Sequence, residues 1–234
     1  GKSRLENKLV NLNFLTIIPA RANSQRLPGK NMMVLGALPL VGHSIAYAQN
    51  NKLLDIVVTT NDPDVAAYTK TKSVIVIHRP DKLAGHEEPV VTAIQHAVSH
   101  FQKKYDAVIL LQPTNPLRPK GLLKEAIAIF EREDCDSLMT VSRNEHKLGT
   151  ISNNRFTPYN YKMGQRSQDL EHLYYENGLL YIFKTELVKQ GKLLGEANYP
   201  LIVDHPFAEI DIDTEADFKK AEMFFNYYKN NDDD

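Results

Sequence analysis

Three cations crowd one short stretch of this chain. From Ile17 to Asn31 the residues read IIPARANSQRLPGKN, an apolar strand end followed by Arg21, Arg26 and Lys30 on a loop that turns at Pro28-Gly29. Small residues (Ala20, Ala22, Ser24, Gly29) let backbone N–H groups approach an anion while the side chains supply countercharge, and the matching guest is a polyphosphate. The competing reading is a loop whose cations merely solvate a strand end. Ser24 and Asn31 stand where a P-loop needs Gly and Ser or Thr, and no G-x-G occurs anywhere, so neither Walker-type ATP binding nor dinucleotide binding is expected. Far along the chain, Glu209, Asp211 and Asp213 alternate with Ile210 and Ile212. On a strand these carboxylates share one face and repel one another unless a cation lies between them. Mg²⁺ suits such hard oxygen ligands. An acidic sheet edge that caps the following helix has the same spacing, so on residues alone both readings stand. QPTNPLR, residues Gln112 to Arg118, follows the most apolar strand and so falls where open α/β sheets bind ligands, or else is a proline-braced turn. Arg79, after the third strand, is similarly placed. His96 and His100 lie one helical turn apart, but no Glu completes an H-E-x-x-H pattern, and a solvated helix face is expected there.

The elements that must carry these residues follow from hydrophobic period. Phe14 to Ile18 reads as a buried strand, Leu40 to Asn50 as a helix, Asp55 to Thr60 as a second strand. Asp62-Pro63 starts a helix to about Lys72, and Ser73 to Ile77 is a third strand. Pro89 to Tyr105 reads as a long amphipathic helix, Ala107 to Leu111 as a fully apolar strand, Gly121 to Arg132 as a helix, Ser137 to Val141 as a strand. From Ser142 to about His172 the chain turns polar, with isolated aromatics at Phe156, Tyr159 and Tyr161, and this predicts an excursion from the sheet. A strand returns at Gly178 to Phe183, another is expected around Glu209 to Asp213, and Thr214 with Asp217 starts a helix to about Tyr228. Alternating strand and helix predict an α/β fold with a mostly parallel sheet covered on both faces. One domain over 14–228 is expected, with flexible termini at 1–13 and 229–234.

The formal net charge of −1 over 234 residues gives no global field toward nucleic acid or an anionic membrane, so any basic site is local. A lone cysteine, Cys135, excludes an internal disulfide and a Cys-based zinc site. With no signal peptide or long apolar run, the expected location is the cytoplasm.

Six segments in order, IIPARANSQRLPGKN, TTND at Thr59, HRPDKLAG at His78, LLQPTNPLR at Leu110, YENGLLYI at Tyr175 and DIDTEADF at Asp211, resemble the acylneuraminate cytidylyltransferases. The resemblance implies a Rossmann-like three-layer fold of the nucleotide-diphospho-sugar transferase type, and a reaction in which CTP and a nonulosonic acid give the CMP-sugar and pyrophosphate. It implies Asp211 and Asp213 as Mg²⁺ ligands, which with Arg21 and Lys30 form the expected catalytic set. Ala20, Arg21, Ala22, Asn31 and Arg79 are then expected to bind nucleotide, and Gln112, Arg166, Gln168, Tyr175 and Asn177 the sugar. It also implies a homodimer in which the 142–172 excursion brings Arg166 to the neighbour's site. Some residues depart from the family pattern. Gln25 replaces a usual Lys, Ala37-Leu38-Pro39 a Gly-Lys-Pro turn, and Ser167 an expected Arg; His86-Glu87-Glu88 follows Leu83-Ala84 where a small hydroxyl or Asp is usual, so the cytosine contact has no assigned residue. The 3-deoxy-manno-octulosonate branch is disfavoured because QPTNPLR replaces its acidic loop. A nucleotide-sugar glycosyltransferase and a non-catalytic nucleotide-binding module remain as alternatives, and the nonulosonic acid itself is not identified.

Overall fold

Apolar runs too short for helices and flanked by turn residues become a seven-stranded sheet, seen here in a computed structural model that describes residues 11–22, 24–53 and 55–229. In chain order the elements are β1 (Phe14–Pro19), β2 (Val34–Leu35), β3 (Leu38–Pro39), α1 (Leu40–Asn50), β4 (Ile56–Thr60), α2 (Pro63–Thr71), β5 (Ile75–His78), α3 (Val90–Ser99), β6 (Ala107–Leu110) and α4 (Leu122–Arg132). They continue with β7 (Ser137–Asn144), β8 (Gly149–Ser152), β9 (Arg155–Pro158), β10 (Leu173–Lys184), α5 (Thr185–Lys189), β11 (Asn198–Ile202) and α6 (Glu215–Tyr228). The sheet order is β11-β7-β10-β6-β1-β4-β5. Its pairings are parallel except that β10 runs antiparallel to both β6 and β7. Of the termini expected to be flexible, 1–10 and 230–234 lie outside the described residues. No described helix is long and apolar enough to cross a membrane.

Both faces of the sheet are buried around its central strand β1, whose two-residue period assigns its side chains between them. Leu15 and Ile17 pack with Val57, Val108, Leu110 and with Ile94 and Ala97 of α3, whereas Ile18 packs with Val58 and Ile109 under Val41 and Ile45 of α1 and Leu123 of α4. A third cluster joins Leu27, Leu35, Leu117, Ile210, Ile212 and Phe218 beneath the carboxyl end of the sheet. It packs the loop bearing Lys30, the QPTNPLR loop and the start of α6 into one support.

Several elements differ from expectation for local reasons. Helix α3 ends at Ser99 instead of Tyr105, because the chain turns so that Phe101 and Tyr105 both reach the core, their rings 5.7 Å apart, while Lys103 pairs with Asp55 at 2.8 Å. Strand β7 runs on to Asn144, so the excursion starts later than 142, and β10 begins at Leu173, directly at its expected end and earlier than the expected Gly178. The excursion contains the β8–β9 hairpin, whose Asn153-Asn154 turn has φ of 49° and 60°, the left-handed pair that hairpins favour. Residues 209–213 form no strand. Glu209 closes a 3-10 turn over Pro206–Glu209, and the chain beyond is held to the QPTNPLR loop by Ile212 N–H donating to the Thr114 carbonyl at 2.8 Å. The alternation survives without the ladder, since Ile210 and Ile212 are buried and Asp211 and Asp213 are exposed.

Candidate active site

The cationic loop owes its shape to the residues at the end of β4. Thr60 Oγ1 donates to the Ala20 carbonyl, Asn61 Oδ1 accepts from the Ala22 N–H at 2.7 Å, and Asn61 Nδ2 donates to Asp81 at 3.1 Å. The Ala20 N–H is likewise taken, by the Thr59 carbonyl at 2.9 Å. This corrects the expectation that these two alanines offer their N–H groups to an anion. Both groups instead complete the scaffold, as buried backbone donors must. Gly29, at φ 71°, makes the left-handed step into the 3-10 turn Lys30–Met32. The turn places Lys30 and Asn31 on the cleft, and Asn31 Nδ2 donates to the Arg21 carbonyl at 3.0 Å.

The cleft, of about 260 Å³, is lined by Arg21, Lys30, Arg79, Glu88, Gln112 and Asp213 among others. Arg21 Nη1 donates to the Gly85 carbonyl at 2.7 Å. Arg79 is only 4% exposed and donates from Nε and Nη2 to Thr59 at 3.4 and 3.2 Å. Burial, with Arg21 nearby, depresses its guanidinium to about 10. Among the described residues neither arginine is in an ion pair with a carboxylate. Two guanidiniums thus line one cleft without a carboxylate ion pair among the described residues.

Across the cleft, Lys30 Nζ lies 3.3 Å from Asp213 and 3.4 Å from the Ile212 carbonyl. Partial loss of solvent at the carboxyl and then the Asp213 charge push Asp211 above its ordinary range, against a smaller opposing pull from Lys30. The backbone of this acidic loop is fixed by the cap of α6, where the Asp217 carboxylate accepts from both the Asp213 and Thr214 N–H groups at 3.0 Å. Among the described residues no group of three or more His, Cys, Asp and Glu is positioned to hold a metal. Two carboxylates that repel each other nonetheless fit Mg²⁺, which takes one or two such ligands and completes its shell with phosphate oxygens and water.

The QPTNPLR loop is fastened from below. Asn115, 2% exposed, donates to the carbonyls of Asn177 and Ile210, both at 3.1 Å. Arg118 donates to the carbonyls of Leu179 and Gln112 and to Ser44 Oγ. These contacts leave Gln112 on the cleft. Val90 and Gln112 also border an adjoining hollow with Glu176, Tyr181, Phe183 and Leu193, where Tyr181 donates to Glu176 at 3.1 Å.

Arg21, Lys30, Asn31, Arg79, Gln112 and Asp213 are thus brought together, and Asp211 adjoins them close enough to feel Asp213 and Lys30. Others are not. Arg26 is exposed, as are Arg166 and Gln168, and Arg166 pairs with Asp169 of its own 3-10 turn at 2.8 Å. Tyr175 lies with Tyr174, Pro200 and Ile202 in a separate groove. Asn177 is buried and spends its amide on Thr140, Ser142 and the Leu179 N–H, which makes it a positioning residue rather than a ligand contact. Sequence reasoning assigned no role to Thr59, Asn61 and Asn115, whose roles appear only once strands distant in sequence are adjacent, and it named Glu88 only as a departure from the family pattern.

A mostly parallel α/β sheet that carries a cationic cleft beside an acidic pair has the architecture in which such folds bind anionic ligands. The cytidylyltransferase family profile matches residues 15–233. A CMP-N,N'-diacetyllegionaminic acid synthase of Legionella pneumophila is 30% identical, over 90% of this chain and 95% of that protein. An N-acylneuraminate cytidylyltransferase of Streptococcus agalactiae is 29% identical over 91% of this chain, which spans only 54% of that longer relative. Among solved structures, a CMP:2-keto-3-deoxy-manno-octonic acid synthetase in complex with CTP superposes with a TM-score of 0.64 at 16% identity, covering 92% of this chain and 99% of that one. A 4-diphosphocytidyl-2C-methyl-D-erythritol synthase from Anaerococcus prevotii superposes at 0.67 with 11% identity, covering 92% and 96%. The chain belongs to the cytidylyltransferase family, and the resemblance to the acylneuraminate branch is borne out by relatives of that name.

Proposed function

We propose that this chain is a CTP-dependent cytidylyltransferase that activates a nonulosonic, sialic-type acid to its CMP-sugar with release of pyrophosphate. The observation that carries this reading is the convergence of Arg21 and buried Arg79 on one cleft with no carboxylate partner among the described residues, since desolvated cations call for an anionic ligand. The names of the relatives supply the sugar class.

Arg21 and Lys30 hold the outer phosphates and disperse charge on the departing pyrophosphate. The anomeric hydroxyl of the sugar gives up its proton to water and forms a bond to the α-phosphorus as the bond from phosphorus to the pyrophosphate oxygen breaks. Gln112, which borders both the cleft and the adjoining hollow, orients the sugar between them. Asp211 and Asp213 would hold Mg²⁺, which when bound supplies positive charge to the nucleotide oxygens. The working assembly is a homodimer in which Arg166, exposed and not among the lining residues of its own cleft, serves the neighbour's site, and the working compartment is the cytoplasm.

Pyrophosphate release from CTP and Mg²⁺ tests the reading, with N-acetylneuraminate, legionaminate, pseudaminate and the deaminated nonulosonate each added in turn. Release is expected with at least one acid and not without it. Binding of CTP without turnover on any acid would indicate a non-catalytic module, and consumption of a CMP-sugar without pyrophosphate release a glycosyltransferase.

A further inference from the structure

We propose that Lys30 is an exchangeable counter-ion: its ammonium neutralises Asp213 in the resting cleft and passes to phosphate when that carboxylate engages a divalent cation, so that metal and polyphosphate each strengthen the binding of the other. This rests on the Mg²⁺ and phosphate roles given above. The cations lining the cleft are not alike. Arg21 and Arg79 donate to oxygens of Gly85 and Thr59, and among the described lining residues only Lys30 pairs with a carboxylate. The contact joins fixed supports. Gly29 sets the 3-10 turn that carries Lys30, and the Asp217 carboxylate accepts from the Asp213 N–H at 3.0 Å. Leu27, Leu35, Ile210, Ile212 and Phe218 pack both loops on one cluster.

Between those supports runs a flexible four-carbon stem ending in three rotatable donors, and this is the part that can change partners. It is enclosed yet loosely held. The Lys30 side chain is 16% exposed, and its ammonium is divided between Asp213 at 3.3 Å and the Ile212 carbonyl at 3.4 Å. By contrast the more exposed Lys103 meets Asp55 at 2.8 Å, within the range of about 2.7 to 2.9 Å that full-strength charge-assisted contacts keep. Enclosure means that the Lys30 charge needs an anion, and the long contacts mean that this anion is easily left. Asp211 lies in the field of the same ammonium, so one cation offsets two carboxylates. A second positive charge on Asp213 would repel Lys30 toward any phosphate in the cleft. Conversely, phosphate that draws Lys30 away leaves the carboxylates to a cation, and linkage makes the two effects equal in size.

The test is calorimetric titration of Mn²⁺, in place of Mg²⁺, into the nucleotide-free chain and into Lys30→Met, Lys30→Gln, Lys30→Arg and Arg21→Met, with melting curves in chelator to establish that each variant folds. K30M and K30Q are expected to bind Mn²⁺ about 5- to 150-fold more tightly than the unaltered chain, the usual size of a coupling between two sites. K30R, which keeps a cation beside Asp213, is expected to stay close to the unaltered chain. R21M removes a charge that touches no carboxylate and is expected to gain by a smaller factor, through a screened field alone. Inorganic pyrophosphate, with its binding of Mn²⁺ in solution subtracted, is expected to tighten Mn²⁺ binding by a larger factor in the unaltered chain than in K30M. An Mn²⁺ affinity that is unchanged or lowered in folded K30M and K30Q, or raised as much by R21M, overturns the exchange, while pyrophosphate release from CTP keeps the transferase reading. An unaltered chain that binds no Mn²⁺, with or without pyrophosphate, overturns both the metal assignment and the exchange.

Discussion

Arg79 and Arg118 are buried guanidiniums that loss of solvent depresses alike, both to about 10, yet they face different partners. Arg118 is spent on two carbonyls, one hydroxyl and the face of Tyr47, and so acts as a rivet, while Arg79 keeps a donor on the cleft. The same distinction separates Lys30 and Arg21, which line the cleft, from Arg26, which is exposed. Arg21→Ala and Lys30→Ala are each expected to weaken CTP binding by about 10- to 100-fold, the scale of hydrogen bonds to charged groups, and CMP binding by less than about 3-fold. Calorimetry with both nucleotides checks this, and equal losses would show that the loop holds something other than the outer phosphates. Asp213→Ala and Asp211→Ala are expected to lower Mg²⁺-dependent turnover by at least ~100-fold with the fold retained. Full turnover in either variant, with circular dichroism unchanged, would remove the metal assignment.

Strand β10 lines the hollow beside the cleft with Glu176, Tyr181 and Phe183, and it also serves the site from a point that lines neither. Its register slips between Glu176 and Tyr181, and at the slip Gly178 has φ 75°, with Asn115 so close that an added Cβ would lie 2.9 Å from the Asn115 amide oxygen. Gly178→Ala is therefore expected to cost ~2 kcal/mol or more in urea denaturation and to lower activity, because Asn115 holds the QPTNPLR loop. A second element junction is electrostatic. Asp55, before β4, is hydrogen-bonded by Lys103, which with help from Tyr105 holds its carboxyl below the ordinary 3.8. A lowered folded-state value means stability that is present above 3.8 and lost as pH falls through the folded value. Asp55→Asn should thus cost less than about 1 kcal/mol at neutral pH, the pair being partly exposed, and the difference from the unaltered chain should vanish in melts at acidic pH. The elements that could be read from sequence were those with local signals. Asp62-Pro63 and Thr214 with Asp217 start α2 and α6 where caps demand, and the latter is a full capping box. Strand β11, with Pro200 in its middle, has no such signal and exists because β7 offers an edge to pair with. The alternation at 209–213 suggested a strand, but the same in-out pattern arises in a loop anchored by Ile210 and Ile212. Of the candidate site, Arg21, Lys30, Arg79, Gln112 and Asp213 could be named from motifs, whereas Asn61 and Asn115, though they lie in TTND and QPTNPLR, act through partners at separations of 39 and 62 residues that no motif shows.

At the scale of the whole molecule, the face of β7, β10 and β11 around Met139, Val141, Tyr174, Tyr175 and Ile202 stays open, and the β8–β9 excursion carries exposed Ile151, Phe156 and Tyr159. In the proposed dimer, Asp213→Ala and Arg166→Ala chains are each inactive alone. Mixed one to one, they are expected to regain roughly a quarter of full activity, since half the dimers are mixed and each has one site with both residues intact. Mixed dimers of confirmed composition that stay inactive would place Arg166 in its own chain's site. The Lys30–Asp213 contact, finally, spans 183 residues of chain. At about 5 to 20 residues per second of synthesis, roughly 10 to 40 s separate the emergence of the two sides of the cleft. On the proposed reading, the growing polypeptide first displays Arg21 and Lys30 and only much later the carboxylates and the Ile210, Ile212 and Phe218 that pack beneath the cationic loop, so the cleft takes shape only once nearly the whole chain has emerged.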